Sequence, residues 1–322
     1  MYEQFFGLRE RPFDLLPNPR FLYLAAGHRE AFSNLRYGLT VPRGLTLLVG
    51  EAGTGKTTLV QVVLADLDRD GVECVLLSNP TLTRAEFYEY LATSFGLGAE
   101  AASSKTRFLF ELRKHLESRQ AAGRLSALVI DEAQSLPYEL LEEVRLLSNI
   151  ETATVKLLNV VLAGQPELAA RLNEPCLRQL KQRVSLRCEL APLDFPDTAA
   201  YVAGRLRIAG GNPEAIFSHE SILAIHQASG GVPRVINVIC DNALLGGFAG
   251  QMKPVLRALV DEVCRDFGLN RLAPGQTSGA VNGQLDAAMA PTDEKYPAER
   301  RGSEDDGAMF GTFGHKKRFS FF

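Results

Sequence analysis

The run Gly-Glu-Ala-Gly-Thr-Gly-Lys-Thr at residues 50–57 constrains the fold of this chain more than any other feature. It matches the phosphate-binding pattern G-x-x-x-x-G-K-[ST]. An apolar run at 45–49 predicts a strand before it, and residues 58–64 predict a helix after it. This order brings backbone N–H groups and a helix N-terminus to a polyphosphate. The loop therefore predicts a nucleotide site; the alternative is a glycine-rich turn that carries a lysine by chance.

The phosphate loop offers a defined set of candidate ligands. Its glycines matter because a side chain there would hold the backbone away from the phosphates. We expect Lys56 on the β- and γ-phosphates and the Thr57 hydroxyl on Mg²⁺. The residues of this segment predicted to bind the nucleotide are Gly50, Glu51, Ala52, Gly53, Thr54, Gly55, Lys56, Thr57 and Thr58.

Composition is that of a soluble globular protein. Of 322 residues, 46% are hydrophobic and 23% charged, and the net charge of -3 argues against wholesale electrostatic capture of nucleic acid. The five cysteines form no C-x-x-C pair, which favours reduced thiols in a cytosolic protein. We find no stretch long enough for a transmembrane segment and no signal peptide. The expected location is cytoplasmic, with recruitment to the inner membrane only through a partner.

Strands and helices alternate through the first half of the chain. Apolar runs predict five strands, at 45–49, 72–77, 127–130, 157–162 and 184–190. Helical periodicity between them predicts a parallel sheet covered on both faces. The first, third and fourth strands are continuous apolar runs, as central strands are, whereas the fifth alternates as an edge strand does.

The chain divides into four predicted segments. Residues 1–43, rich in aromatics and proline, predict an irregular arm and a helix packed on the core, and residues 44–192 form that core. Four helical patterns without strands predict a small helical domain at 193–270. Residues 271–322 have the composition of a disordered tail, whose basic and aromatic end is either an inert terminus or a docking tag.

Two adjacent acids end the third predicted strand. Asp131 is expected to hold Mg²⁺ through its water shell, and Glu132 to act as general base on the attacking water. The carboxyl end of a strand beside the phosphate loop is where such ions are held. The alternative is an N-cap, since Asp and Glu are common before helices.

Three further side chains are candidates for the triphosphate end. Gln165, after the fourth strand, can reach the γ-phosphate or the water; the alternative is a turn residue before Pro166. Arg183, and after it Arg178, lie before the edge strand and suit donation to a neighbouring subunit's nucleotide as an arginine finger. The alternative for both arginines is a solvated helix face.

Arg234 is the candidate nucleotide sensor of the helical domain. It lies in the run Gly-Gly-Val-Pro-Arg-Val-Ile-Asn, within the first turn of a predicted helix. A cation there opposes the helix dipole unless an anion compensates it. A bound γ-phosphate would provide that anion and would tie the position of the helical domain to the nucleotide state.

Taken together these motifs resemble an AAA+ ATPase, and within that class the general secretion pathway A (ExeA-type) ATPases. The resemblance spans residues 5–268. Its generic parts are the phosphate loop and the acidic pair. Its more specific parts are the N-terminal arm, with Phe-Phe-Gly-Leu at 5–8 and Arg-Pro-Phe at 11–13, and the run Leu-Ala-Gly-Gln-Pro-Glu-Leu at 162–168. The run Ile-Asp-Glu-Ala-Gln at 130–134 also matches.

The resemblance implies a P-loop NTPase (AAA+) core in the α/β class, with a five-stranded parallel sheet in the order 5-1-4-3-2, followed by a small all-helical lid. It implies ATP and Mg²⁺ bound between the subunits of a ring or filament, and an arm close to the adenine. Leu8 and Phe13 are the arm residues expected there. Relatives in secretion commonly carry a membrane span and a peptidoglycan-binding domain after the lid, for which we expect no counterpart in this tail.

The resulting hypothesis is an ATP-hydrolysing homo-oligomer that acts on a protein partner, in secretion, polysaccharide export or another envelope assembly. One alternative is a DNA-dependent regulator of transposition, which the acidic balance and the lack of a DNA-binding motif disfavour. Another is a nucleotide-gated scaffold with negligible turnover. A P-loop small-molecule kinase is disfavoured because the chain offers a lid with a sensor arginine.

Overall fold

The computed structural model describes residues 1–269, apart from residues 17, 43, 79 and 99. The described residues all belong to one compact unit, Met1–Pro274. The predicted tail at 271–322 lies outside the described residues.

The described strands form one five-stranded parallel sheet. They are β1 (Leu45–Gly50), β2 (Glu73–Leu77), β3 (Ser126–Ile130), β4 (Asn159–Gly164) and β5 (Val184–Leu190). The order is β2-β3-β4-β1-β5, which is the predicted order counted from the opposite edge. Every residue of β1, β3 and β4 is buried, whereas β5 alternates between exposed and more buried positions. The predicted fold class is confirmed.

Helices cover both faces of the sheet. The arm and core contain α1 (Tyr2–Phe6), α2 (Ala26–Thr40), α3 (Lys56–Arg69), α4 (Arg84–Ser94), α5 (Lys105–Ala121), α6 (Tyr138–Leu147), α7 (Pro166–Arg171) and α8 (Arg178–Lys181). Successive strand residues point to opposite faces, so each strand feeds two apolar clusters. In β3, Leu128 packs with α4, α5 and α6, while Val129 packs with α2 and α3.

The lid follows β5 and is wholly helical in the described residues. Its helices are α9 (Phe195–Ile208), α10 (Pro213–Ile216), α11 (His219–Ser229), α12 (Pro233–Ala249) and α13 (Arg257–Asp266). The four long ones match the predicted helical patterns. The short helices α7, α8 and α10, of six residues or fewer, escaped prediction because so few residues establish no period.

The arm packs on the lid more than on the sheet. Tyr2, Phe6, Phe13 and Phe21 are buried in one apolar cluster with lid helices, whereas Leu24 and α2 pack on the sheet. Of the predicted segment 1–43, the helix packs on the core as expected, whereas the aromatic residues before it pack mainly on the lid. Without the arm, the lid would expose an apolar surface to water. The aromatic side chains of the arm cover that surface.

Two adjacent glycines form the joint between α11 and α12. Gly230 and Gly231 both have positive φ, 57° and 78°. A Cβ on Gly231 would lie 1.9 Å from the backbone oxygen of Leu193, whereas a Cβ on Gly230 meets nothing within 4 Å. The close approach of two backbones therefore requires glycine at 231, while 230 requires it only for its dihedral angles.

We expect Gly231→Ala to lower the free energy of unfolding by about 3 kcal/mol or more, because backbone strain adds to a backbone clash. Gly230→Ala is the matched control and should cost only about 1 kcal/mol. Urea denaturation followed by circular dichroism measures both. Equal costs for the two variants would contradict the close approach at residue 193.

Candidate functional site

The phosphate loop turns between β1 and α3. Gly53 and Gly55 adopt positive φ angles of 81° and 98°, and α3 begins immediately afterwards at Lys56. A Cβ on Gly50 would lie 2.9 Å from the backbone oxygen of Leu190 on β5. The glycines therefore fit both the turn and the tight passage beside the neighbouring strand.

A cavity of about 380 Å³ lies on this loop. Gly53, Thr54, Gly55, Lys56, Thr57 and Thr58 line it, together with residues of the arm and lid. The first half of the loop does not line the cavity: the backbone oxygens of Gly50 and Glu51 face inward to Lys56, and Ala52 lies between Glu51 and Gly53.

Lys56 is buried, and its ammonium is held by its own loop. Nζ donates to the backbone oxygens of Gly50 at 2.8 Å and Glu51 at 3.1 Å. Burial lowers the pKa of this ammonium, and the neighbouring carboxylates of Glu132 and Asp131 oppose that shift. The site thus keeps a desolvated cation at the floor of a cavity, where an anion would stabilise its charged form.

Thr57 and Asp131 meet although 74 residues separate them. The Thr57 hydroxyl donates to Asp131 Oδ2 at 2.6 Å, and Asp131 Oδ1 accepts from the backbone N–H of Glu132 at 2.9 Å. A hydroxyl and a carboxylate fit Mg²⁺, which takes hard oxygen ligands and is held by one or two carboxylates with substrate phosphates. The structure brings together the two predicted metal ligands.

Glu132 lines the cavity in an unusual backbone conformation. Its φ is 51°, in the left-handed region that residues other than glycine rarely adopt, and it precedes a 3₁₀ turn at Ala133–Ser135. Such outliers cluster at functional sites. Its carboxylate Oε2 accepts from Gln134 Nε2 at 2.5 Å.

Gln165 is near the acidic pair through another amide. It is the N-cap residue of α7 and directly follows β4, and its backbone N–H donates to Gln134 Oε1 at 3.1 Å. Its side chain is not among the described residues that line the cavity. Gln134 was missed as a site residue, although it is the last residue of the Ile-Asp-Glu-Ala-Gln run and an amide three positions after Asp131 was a usable signal.

Arg234 connects the lid to the phosphate loop. Its side chain lines the cavity from the first turn of α12, and its backbone N–H donates to the Gly53 oxygen at 3.2 Å. A Cβ on Gly53 would lie 2.6 Å from the Cβ of Arg234. The loop and the lid are therefore in direct backbone contact at the predicted sensor.

Arg178 and Arg183 lie away from this cavity. Both are exposed, Arg178 in α8 and Arg183 just before β5. Within the described ranges, neither side chain forms an ion pair or a hydrogen bond. Their placement leaves both cations on the outer surface beside the edge strand.

Leu8 and Phe13 do not line the cavity in the described part of the chain. Phe13 packs edge-on against Phe217 at 6.4 Å, and Leu8 approaches Gly211, so both belong to the arm–lid core. This differs from the expectation of arm contacts to adenine through these two residues. The arm residues that line the cavity are Asp14, Leu15, Leu16, Asn18, Phe21, Leu22 and Tyr23.

Several cavity residues had no signal in the sequence alone. His28 Nε2 lies 3.0 Å from the backbone oxygen of Thr54 and donates to it, which ties α2 to the loop. From the lid, Tyr201 OH donates to Asn237 Oδ1 at 2.8 Å, and Arg205 Nε donates to the Pro12 oxygen at 2.6 Å. These contacts join segments distant in sequence.

Comparison with known proteins agrees with this geometry. A family model described as an AAA domain matches residues 40–172. Among solved structures, an Aeropyrum pernix ORC2 protein in ADPNP–ADP complexes superposes with a TM-score of 0.59, at 14% identity, over 80% of this chain and 71% of that one. Cdc6p from Pyrobaculum aerophilum gives 0.57 at 17% identity, over 74% of this chain and 68% of that one. The fold and the site define a P-loop protein of the AAA+ class.

General secretion pathway protein A of Aeromonas hydrophila is 45% identical over 250 residues, which are 77% of this chain and 45% of the relative. Over these residues the predicted resemblance to the general secretion pathway A (ExeA) type of AAA+ ATPase is confirmed. It spans less than half the length of that relative. In the described residues, none of the helices is long and apolar enough to cross a bilayer.

We expect Lys56→Ala to weaken binding of a fluorescent ATP analogue at least about 100-fold, because charge-assisted hydrogen bonds to the phosphates are lost. Lys114→Ala, at an exposed lysine of α5, is the matched control and should bind as the parent does. Fluorescence anisotropy titration measures both. Unchanged affinity in Lys56→Ala would show that the nucleotide does not occupy this loop.

Proposed function

We propose that this chain hydrolyses ATP with Mg²⁺ at the cavity on the phosphate loop, as a subunit of an oligomeric switch or motor. The observation that carries the proposal is the contact of Thr57 with Asp131, beside Lys56 and Glu132. A hydroxyl, a carboxylate, a buried ammonium and a second carboxylate then lie at one place. Phosphoryl transfer to water needs this set of groups and little else from a protein.

Each group has a distinct role in this proposal. Lys56 exchanges its two loop oxygens for phosphate oxygens, while loop N–H groups bind the phosphates from the side of α3. Thr57 and Asp131 would hold Mg²⁺, which would neutralise charge on the triphosphate. Glu132 orients the attacking water and accepts its proton as general base.

Arg234 and Gln165 serve as sensors in the proposal. Arg234 enters from the lid, and an anion at the N-terminus of α12 would offset the unfavourable interaction of this cation with the helix dipole. Because Arg234 also contacts Gly53 through its backbone, the lid and the loop respond together. The backbone N–H of Gln165 donates to Gln134 Oε1, and we propose that the side chain of Gln165 responds to the presence of the γ-phosphate.

The base of the nucleotide is proposed to lie between arm and lid. Leu15, Leu16 and Phe21 of the arm offer apolar surface to the cavity, and Tyr201 and Asn237 of the lid also line it. These residues would then make the adenine contacts that were first expected of Leu8 and Phe13. The similar ORC2 protein, whose structures contain ADPNP and ADP, supports an adenine nucleotide.

Two exposed arginines that lie away from the cavity of their own subunit support the proposal of an oligomer. Arg183, or Arg178, is proposed to reach the nucleotide of a neighbouring subunit, since neither lines its own cavity and both are exposed. The name of the similar Aeromonas protein supports a role in secretion or a related envelope assembly, with a protein partner. A cytoplasmic location, with a partner that recruits the protein to the inner membrane, belongs to the same proposal.

We expect Glu132→Gln to bind ATP with near-parental affinity and to lower kcat about 100-fold or more, because the proton acceptor is lost while the phosphate contacts remain. Phosphate release under saturating ATP measures kcat, and anisotropy measures affinity. Gln227→Ala on α11 is an exposed control. Retained hydrolysis in Glu132→Gln refutes the base assignment, and a parent without turnover favours the nucleotide-gated scaffold.

The trans-acting arginine is tested by mixing two inactive variants. Arg183→Ala keeps its own site but offers no arginine, whereas Glu132→Gln offers the arginine but no base. An equimolar mixture should regain about a quarter of parental activity, since half the sites are intact and half of those face an intact arginine. Full activity of Arg183→Ala alone would move the assignment to Arg178, for which the same mixture serves.

A further inference from the structure

The amide of Gln134 lies between Glu132 and Gln165. Its Nε2 donates to Glu132 Oε2 at 2.5 Å, and its Oε1 accepts from the backbone N–H of Gln165 at 3.1 Å. The two hydrogen bonds use opposite ends of one planar group, so they also fix its orientation. The amide therefore links the residue after β3 to the residue after β4.

The space for this amide is built into the neighbouring strand. A Cβ on Gly164, the last residue of β4, would lie 2.8 Å from Gln134 Oε1 and 2.9 Å from a methyl group of Leu168. Gly164 is not one of the described glycines with a positive φ. Its lack of a side chain is therefore explained by the limited space and not by its backbone conformation. Glycine at this position keeps the amide in place.

The backbone of Gln134 is also held by a side chain of α7. Arg171 Nη1 donates to the Gln134 backbone oxygen at 2.5 Å, and the guanidinium lies 4.6 Å from the ring centre of Tyr138. Tyr138 OH in turn donates to Glu174 at 2.7 Å. The direction in which the side chain of Gln134 leaves the main chain is thus set by contacts independent of Glu132.

Glu132 needs such a partner because little else in the described residues holds its carboxylate. Its backbone is strained, with φ at 51°, and among the described residues its side-chain oxygens accept a hydrogen bond from Gln134 alone. A general base must stay within hydrogen-bond reach of the water it activates. Because Oε2 accepts from the amide and Oε1 accepts from none of the described residues, Oε1 is the less engaged oxygen and the better placed to accept the proton.

We propose that Gln134 is a positioning residue that holds the Glu132 carboxylate for proton abstraction and ties it to the Gln165 segment. This inference rests on the proposed ATP hydrolysis. Gln134 has no contact with the nucleotide cavity in the described residues, so it acts on the rate of turnover and not on affinity. A change at Gln165 reaches the base through a single side chain.

The decisive variant is Gln134→Glu, which keeps the shape and the acceptor for Gln165 but replaces the donor with a second carboxylate. We expect kcat to fall at least about ten-fold, while the Kd for ATP changes less than about two-fold and the melting temperature stays within about 3 °C of the parent. Gln227→Glu on α11 is the matched control and should change none of the three. A parental kcat in Gln134→Glu overturns the proposal.

Gly164→Ala tests the same linkage from the other strand. Its Cβ should displace the amide and lower kcat with little change in the Kd for ATP, and the effect should not add to that of Gln134→Glu. Additive losses would show that Gly164 acts through Leu168 packing and would contradict a shared route through Gln134.

A spectroscopic measurement separates this proposal from the proposed function. In the nucleotide-free chain, the Gln134 side-chain amide signal is assigned by its loss in Gln134→Glu, and it should move when Glu132→Ala removes the acceptor. A signal that is unchanged in Glu132→Ala overturns the link even if the parent hydrolyses ATP. A signal that moves in a parent without turnover retains the link and rejects hydrolysis.

Discussion

The contact between Thr57 and Asp131 depends on two strands that end at the same edge of one sheet. Thr57 follows β1 through the phosphate loop, and Asp131 follows β3, with β4 between them. Only a parallel order brings both carboxyl ends to the same side, and β4 delivers Gln165 there as well. The register of buried apolar strands, which has no chemical role itself, therefore sets the 2.6 Å distance on which the site depends.

The second constraint is the seam between loop, lid and arm. Gly53 meets Arg234 through backbone contact, so the phosphate loop lies directly against the lid, and Gly231 meets the backbone of Leu193, between β5 and α9. The arm is fixed to the lid by Arg205, which is buried, forms no ion pair among the described residues and donates to the Pro12 oxygen. A buried guanidinium bound to neutral acceptors is costly, which argues that the seam is maintained for a reason other than stability.

Local pattern accounts for most of what the sequence could predict. Continuous apolar runs identify β1, β3 and β4, alternation identifies β5 as an edge, and the spacing of glycines and Lys56 identifies the loop. Asp131 and Glu132 are predictable because they end a buried strand. These inferences succeed because each depends on residues that are neighbours in the chain.

Contacts between distant segments could not be predicted in that way. Phe13 belongs to the lid core because Phe217, far along the chain, provides its neighbour, and no local pattern records that pairing. Gln134 looks like an ordinary polar residue in a short turn until β4 places Gly164 and Gln165 against it. The same holds for the arm residues that line the cavity. Leu8 and Phe13 are buried against the lid, and the segment that follows them lies at the cavity beside the phosphate loop.

The surroundings of Lys56 favour a highly charged ligand over a neutral one. Its ammonium already has two backbone acceptors, so a ligand that offers only neutral oxygens gains little by replacing them. Phosphate oxygens form charge-assisted bonds and stabilise the protonated form, which burial disfavours. Glu132 and Asp131 lie close enough to favour that same protonated form, yet their negative charge also repels a triphosphate. In the proposed function, Thr57 and Asp131 would hold Mg²⁺, which would offset this repulsion and leave the carboxylate of Glu132 available for water.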